Sequence, residues 1–237
     1  MRVRSARRWV QFGAEIAALL AFALVAVEAS AEAAKKAPTP VPLDVAARLG
    51  ASVRLGDAPN FPIDTRAGAS VGLSIFAAPS PRFSLGLSYE HTELGSERGG
   101  RSDAERIEVG RTMEALLAGL RLHLWNGELV RLWAMIGPGL AWQRASAGGF
   151  VSAGFGRRPI GLRCSATGGP DLALRAGVGA EFELGSGLWF VADAVLDNAR
   201  LSSDAVDDCV LGAGAVTLFG MRAGFAYRFD DVGRYLR

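Results

Sequence analysis

The stretch Arg222-Ala223-Gly224-Phe225-Ala226-Tyr227-Arg228-Phe229 decides how this chain folds. Phe225, Tyr227 and Phe229 fall on every second residue, with Ala226 and Arg228 between them. Successive side chains of a β-strand point to opposite faces, so one face carries three aromatic rings and the other small or charged groups. The same period recurs upstream. Phe83, Leu85, Leu87 and Tyr89 alternate with Ser84, Gly86, Ser88 and Glu90. Leu172, Leu174, Ala176, Val178, Ala180 and Phe182 oppose Ala173, Arg175, Gly177, Gly179, Glu181 and Glu183. Val45, Leu49 and Val53 oppose Arg48, Ser52 and Arg54.

Eight such segments are predicted, at about 44–55, 66–77, 82–92, 108–124, 129–145, 171–184, 188–198 and 214–229. Residues 113–124 are rich in Leu and Ala and also admit a helix. Leu120, Leu122 and Leu124 still alternate with Arg121 and His123, which favours a strand. Pro138 lacks a ladder donor and is expected to mark a bulge in the fifth strand. The connections alternate in length along the chain. Short ones (78–81, 126–128, 185–187) separate long ones (about 56–65, 93–107, 146–170 and 199–213). An up-and-down antiparallel barrel spanning a membrane produces that alternation, with both termini on the short-turn side. The fold class is therefore all-β: an eight-stranded antiparallel transmembrane β-barrel whose apolar face meets lipid and whose polar face fills the lumen. A soluble lipocalin-like barrel would instead have an apolar interior.

The N-terminus reads as an export signal over residues 1–31. Arg2, Arg4, Arg7 and Arg8 precede an apolar run from Ile16 to Val27, and cleavage is expected after Ala31 or Ala33. That run is too short to cross a bilayer as a helix, which needs about 20 residues. Residues 32–43, with Pro38, Pro40 and Pro42, form an extended periplasmic leader. The barrel occupies 44–229 and a short periplasmic tail 230–237. Net charge is +2, and losing the signal leaves the chain close to neutral, which argues against a nucleic-acid partner.

The lumen-facing positions hold Arg48, Arg54, Glu90, Arg121, Arg131, Arg175, Glu181, Glu183, Asp193, Arg222 and Arg228. An eight-stranded barrel is filled by side chains, so these form an ion-pair network rather than line a wide pore. A narrow conduit selected by rings of charge is the other reading of the same residues. Cys164 and Cys209 fall in the third and fourth long loops, where an even count and an oxidising compartment favour one disulfide. Opposite charge supports the pairing: the third loop carries Arg144, Arg157, Arg158 and Arg163, and the fourth Asp197, Asp204, Asp207 and Asp208. His123 shares the face of Arg121, and His91 shares the lipid-facing parity of Leu87 and Tyr89. No metal-ligand cluster, phosphate-binding glycine loop or cofactor fingerprint is present; Gly212-Ala213-Gly214 lacks the third glycine of a dinucleotide motif.

With these features in place, the chain resembles the small eight-stranded outer-membrane β-barrels of Gram-negative bacteria, among them the outer-membrane protein A transmembrane domain. The resemblance spans about residues 44–229. Its most specific part is the family's insertion signal, polar-x-Gly-x-x-aromatic-x-aromatic, matched by Arg222, Gly224, Tyr227 and Phe229. It implies export through the general secretory route, residence among outer-membrane lipid and lipopolysaccharide, and the outer-membrane assembly machinery as a partner. The expected role is non-enzymatic: a structural barrel, or one presenting its outer loops to an extracellular ligand. A rival reading comes from the barrel enzymes that remove acyl chains from lipid A, which place a His-x-Ser motif on the outer face. Here the corresponding residues are His91-Thr92-Glu93, so the nucleophile is absent where that motif wants it.

Overall fold

The computed structural model describes residues 41–55, 67–102, 105–151, 160–201 and 214–229. The predicted signal, most of the leader, the tail and Cys209 lie outside the described residues. Eight strands follow in order: β1 (Leu43–Leu55), β2 (Ala67–Ser80), β3 (Phe83–Ser102), β4 (Glu105–Asn126), β5 (Val130–Val151), β6 (Ile160–Gly185), β7 (Leu188–Leu201) and β8 (Gly214–Phe229). Each pairs antiparallel with its neighbours in sequence, and β8 pairs with β1 from Leu43↔Phe229 to Leu55↔Thr217, closing the barrel. The segment 113–124 is strand throughout, as its alternation indicated.

The register fixes the barrel's shape. Following paired residues outward from Leu43 leads through Ala77, Leu85, Leu120, Ile136, Ala176, Leu196 and Phe219 back to β1 at Val53. The path returns ten residues along the strand from its start, a shear of ten. With a rise of about 3.3 Å per residue and strands about 4.8 Å apart, that shear tilts the strands about 40° from the barrel axis.

Burial is inverted relative to a soluble barrel. Leu49, Val71, Ile75, Leu87, Ile136, Leu174, Val178 and Phe225 are exposed on the outside, while Arg48, Glu90, Arg121, Arg175 and Arg222 are almost fully buried within. The outside is a continuous apolar belt, and only a hydrocarbon surrounding makes such a surface favourable. No helix of the described residues is long and apolar enough to cross a membrane. This is a transmembrane β-barrel.

The long connections depart from expectation. The predicted loops 93–107 and 146–170 are mostly strand. β3 and β4 pair out to Ser102↔Glu105, β4 and β5 to Arg106↔Phe150, and β5 and β6 to Val151↔Ile160. By contrast β2 leaves β3 at Ser70↔Thr92, and β7 leaves β6 at Ala173↔Ala199. A four-stranded sheet therefore rises above the rim on one side. Its runs Gly99-Gly100 and Gly148-Gly149 carry no apolar alternation.

Pro138 does not mark a bulge. The β4–β5 ladder is interrupted opposite Ala118 and Gly119, and the same register resumes on both sides, from Leu117↔Gly139 to Leu120↔Ile136. The missing proline donor is absorbed by that gap, and the register shifts of β5 lie elsewhere, at His123/Trp125 and Ala141/Gln143. At the short-turn end Gly185, Ser186 and Gly187 all have positive φ, so the glycines permit the tight β6–β7 reversal.

Candidate functional site

Side chains from six strands meet in the middle of the bore. Arg175 on β6 grips Asp197 of β7 with two bonds, Nε to Oδ1 at 2.6 Å and Nη2 to Oδ2 at 2.8 Å. Its Nη1 donates to Glu90 Oε2 on β3 at 2.8 Å. The same Glu90 oxygen accepts from Arg222 Nη1 on β8, and Arg222 Nε donates to Asp193 Oδ1 at 2.7 Å. Arg48 on β1 completes the chain, giving one N–H to Asp193 Oδ2 at 2.6 Å and another to Ser74 on β2. Three guanidiniums thus balance three carboxylates in an interior closed to solvent. Arginine suits this work because its planar fork serves two acceptors at once. Gly72 stands beside Glu90, where a Cβ would lie 3.1 Å from Oε2, so the small residue leaves the carboxylate its place.

A second cluster fills the short-turn end. The Arg121 guanidinium lies 3.7 Å from the Phe76 ring centre and 4.6 Å from that of Trp133, and its Nη1 is 3.4 Å from Glu181 Oε1. Arg228 grips Asp44 with two bonds of 2.6 Å. Arg131 stacks on Trp189 at 4.1 Å. Gly179 makes room for this layer: a Cβ there would come within 2.3 Å of the Trp133 ring. Cations set over aromatic faces are favoured most where water is excluded.

Toward the end that bears the β3–β6 sheet the bore turns apolar. Leu94, Met113, Leu117, Leu201, Val216 and Leu218 pack together, each 3% exposed or less. This layer corrects the expectation of a uniformly polar lumen. Their inward parity was readable, but apolar residues on the minor face look like noise until the strands are extended.

Of the eleven predicted lumen charges, Arg48, Glu90, Arg175, Asp193 and Arg222 join the central network, and Arg121, Glu181, Arg131 and Arg228 the second cluster. Arg54 is buried on the lumen side. Glu183 keeps the inward parity of Glu181 and pairs with Trp189 at the short-turn mouth, where it is exposed. Asp197 is a correction: it lies on β7, facing inward with Asp193, and not in an acidic outer loop. Asp44 was passed over although it shares the parity of Ala46 and Arg48.

His91 points outward and is half-buried, its Nδ1 3.9 Å from Glu114 Oε1. Its cross-strand neighbours are Val71 and Glu114, and no serine stands among them. His123 is half-buried on the lumen side, opposite Trp133. In the terminal pattern, Arg222 belongs to the central network, whereas Tyr227 and Phe229 face outward and pack edge-on with ring centres 4.7 Å apart. Gly224 lies where a Cβ would meet Ala47 O of β1 at 2.0 Å, so the closing seam needs glycine there. Cys164 is exposed on β6; Cys209, its expected partner, lies outside the described residues. Among the described residues no group of three or more His, Cys, Asp or Glu is placed to hold a metal ion.

No family model and no curated protein matches the chain. Solved structures similar to it include the attachment invasion locus protein of Yersinia pestis, solved with the heparin analogue sucrose octasulfate, at 17% identity and TM-score 0.45, covering 80% of this chain and 99% of that one. Neisserial surface protein A matches at 15% identity and TM-score 0.45, covering 80% and 96%. A major outer membrane protein from Thermus thermophilus matches at 15% identity and TM-score 0.45, covering 79% and 99%.

Proposed function

We propose that the protein is a non-enzymatic outer-membrane barrel of a Gram-negative bacterium, with a structural or surface-interaction role. In this reading it is exported by the secretory route and inserted by the outer-membrane assembly machinery through the Arg222, Gly224, Tyr227, Phe229 pattern. The β3–β6 sheet then projects outward from the cell, and a bond between Cys164 of β6 and Cys209 ties that sheet to the β7–β8 connection. One observation carries the reading: the bore is closed twice, by the balanced Arg–carboxylate network and by the apolar layer above it. A barrel sealed at both levels transports nothing through its centre, so its contribution lies in its wall and its outer surface. The His91 hydrolase reading gains no support, because a nucleophile must stand within hydrogen-bond reach of its base and none does among the described residues.

The test is conductance. Purified barrel in planar bilayers is expected to give no channel steps above background, and Leu117→Ser combined with Glu90→Ala, which opens both levels, is expected to give them. Steady steps from the parent protein would overturn the sealed-bore reading. Mass spectrometry of lipid A from cells with and without the protein is expected to show the same species; a loss of acyl chains would return the enzyme to consideration.

A further inference from the structure

The outer wall changes character over three successive cross-strand rows of β3, β4 and β5. The lowest row is apolar: Tyr89, Leu116 and Leu140. Next come His91, Glu114 and Trp142, and above them Glu93, Thr112 and Arg144. All nine point outward, since their alternating neighbours Glu90, Thr92, Met113, Ala115, Ala141 and Gln143 are buried in the bore. At the third row β3 bulges between Glu93 and Gly95, just beyond the point where β2 leaves the ladder. A cleft of about 290 Å³ opens there, lined by Glu93, Thr112, Arg144 and Ser146 around the bare backbone of Gly110. Arg111 also lines it, but it is 1% exposed and keeps the inward parity, so Arg144 is the guanidinium that an occupant reaches.

The side chains of Thr112, Arg144 and Ser146 make no hydrogen bond or ion pair among the described residues. Thr112 pairs with Arg144 across the ladder, and Ser146 with Gly110, so three neighbouring donors share one place for an acceptor. A Cβ at Gly110 would lie 3.4 Å from Ser146 Oγ, and glycine leaves that room free. Charge then decides the kind of acceptor. The lining holds two arginines and one glutamate, and Glu93 already accepts from the Ala69 backbone N–H at 3.4 Å. Glu114, one row lower, is not part of the lining and faces His91 at 3.9 Å.

We propose that the cleft binds the phosphate of an anionic membrane lipid, with the acyl chains laid along the Tyr89–Leu116–Leu140 row. The inference rests on the transmembrane reading of the fold. Arg144 offers phosphate oxygens a two-pronged grip, and the Thr112 and Ser146 hydroxyls donate to those that remain. The volume sits just under the roughly 300–1,000 Å³ of small-molecule sites, enough for a phosphate head and too little for the chains. Position selects a lipid over a soluble phosphate. The cleft opens on the same wall as the apolar belt and directly above it, and Trp142 marks the membrane interface, where aromatic side chains gather in such barrels.

The test uses the mature barrel folded in maltoside micelles, with backbone amide shifts followed by nuclear magnetic resonance. Dihexanoyl phosphatidic acid is expected to shift Gly110, Thr112, Arg144 and Ser146 saturably. Arg144→Gln is expected to raise the half-saturating concentration about tenfold or more, the loss of one hydrogen-bonded charge. Arg200→Gln, at an exposed arginine of β7, is expected to leave it unchanged. Glu93→Gln is expected to lower it, because a carboxylate that opposes the phosphate is gone. Glycerol 3-phosphate, which lacks chains, is expected to shift the same amides more weakly, and dihexanoylglycerol, which lacks phosphate, to leave them in place. Equal binding of glycerol 3-phosphate would make a soluble phosphate the occupant and overturn the lipid assignment. An unchanged midpoint in Arg144→Gln, an equal loss in Arg200→Gln, weaker binding in Glu93→Gln or equal shifts from dihexanoylglycerol would overturn the site. Parent and variants are first run heated and unheated on a gel. A retained heat-dependent shift with no site-specific binding sinks the lipid site alone, whereas loss of that shift in the parent sinks the barrel reading beneath it.

Discussion

Glu90 accepts hydrogen bonds from both Arg175 and Arg222, so it is the residue on which the central network turns. Replacing it by Gln keeps the shape and removes the charge, leaving two buried guanidiniums to share the remaining carboxylates. Breaking a buried pair in this way is expected to destabilise the barrel by about 3–5 kcal/mol, read as an earlier urea midpoint in gel-shift unfolding. Ser88, next but one along β3 and likewise buried, has no hydrogen-bond partner for its Oγ among the described residues, and Ser88→Ala should change the midpoint little. On the opposite parity, Leu87→Arg and Leu174→Arg put a charge on the lipid face and should weaken insertion by about 2–4 kcal/mol near the midplane. Equal folding yields for Leu87→Arg and the parent would show that the parity is reversed. Most of these residues were legible from a two-residue period alone. Asp197 was not, because an aspartate near a predicted strand end reads as loop until a buried arginine is seen opposite it. The Leu94–Leu117–Leu218 layer was hidden for a related reason: a period-two pattern distinguishes faces, and here both faces of the same segment carry apolar groups.

Among the elements, β8 is the one that closes the barrel, and its outward rings Phe225, Tyr227 and Phe229 face the belt near the short-turn end. Replacing Tyr227 and Phe229 with Ser removes the aromatic girdle contact while leaving Arg222 and Arg228 in place. We expect little folded barrel in the outer membrane and a degraded pool in the periplasm, whereas deletion of 230–237 should be tolerated far better. Comparing the heat-modifiable band in outer-membrane fractions of the two variants decides this; equal bands would mean that Phe229 does not end the closing strand. Strand existence and order were readable throughout, because each lipid-facing strand must alternate over its membrane-crossing length. Strand ends were not readable for β3 to β6. There the ladder continues past the membrane through Gly-rich, polar sequence that obeys no lipid-facing rule, so the pairing is set by the neighbouring strands and not by the local pattern. Pro138 misled for the opposite reason: a residue that breaks ladders was accommodated by a gap on one side alone.

For the whole molecule, the shear of ten and the tilt of about 40° give a bore that side chains fill. The sequence places charges there in near-balanced number, and the barrel joins them across strands as distant as Glu90 and Arg222, 132 residues apart. Everything above depends on the apolar wall of this barrel facing lipid. Membrane fractionation followed by gel mobility of heated and unheated samples tests it most directly. The protein is expected to sediment with the outer membrane, to need detergent to leave it, and to migrate faster unheated than heated because the closed barrel resists the gel detergent. A protein recovered from the periplasm without detergent, with one mobility in both samples, would contradict it.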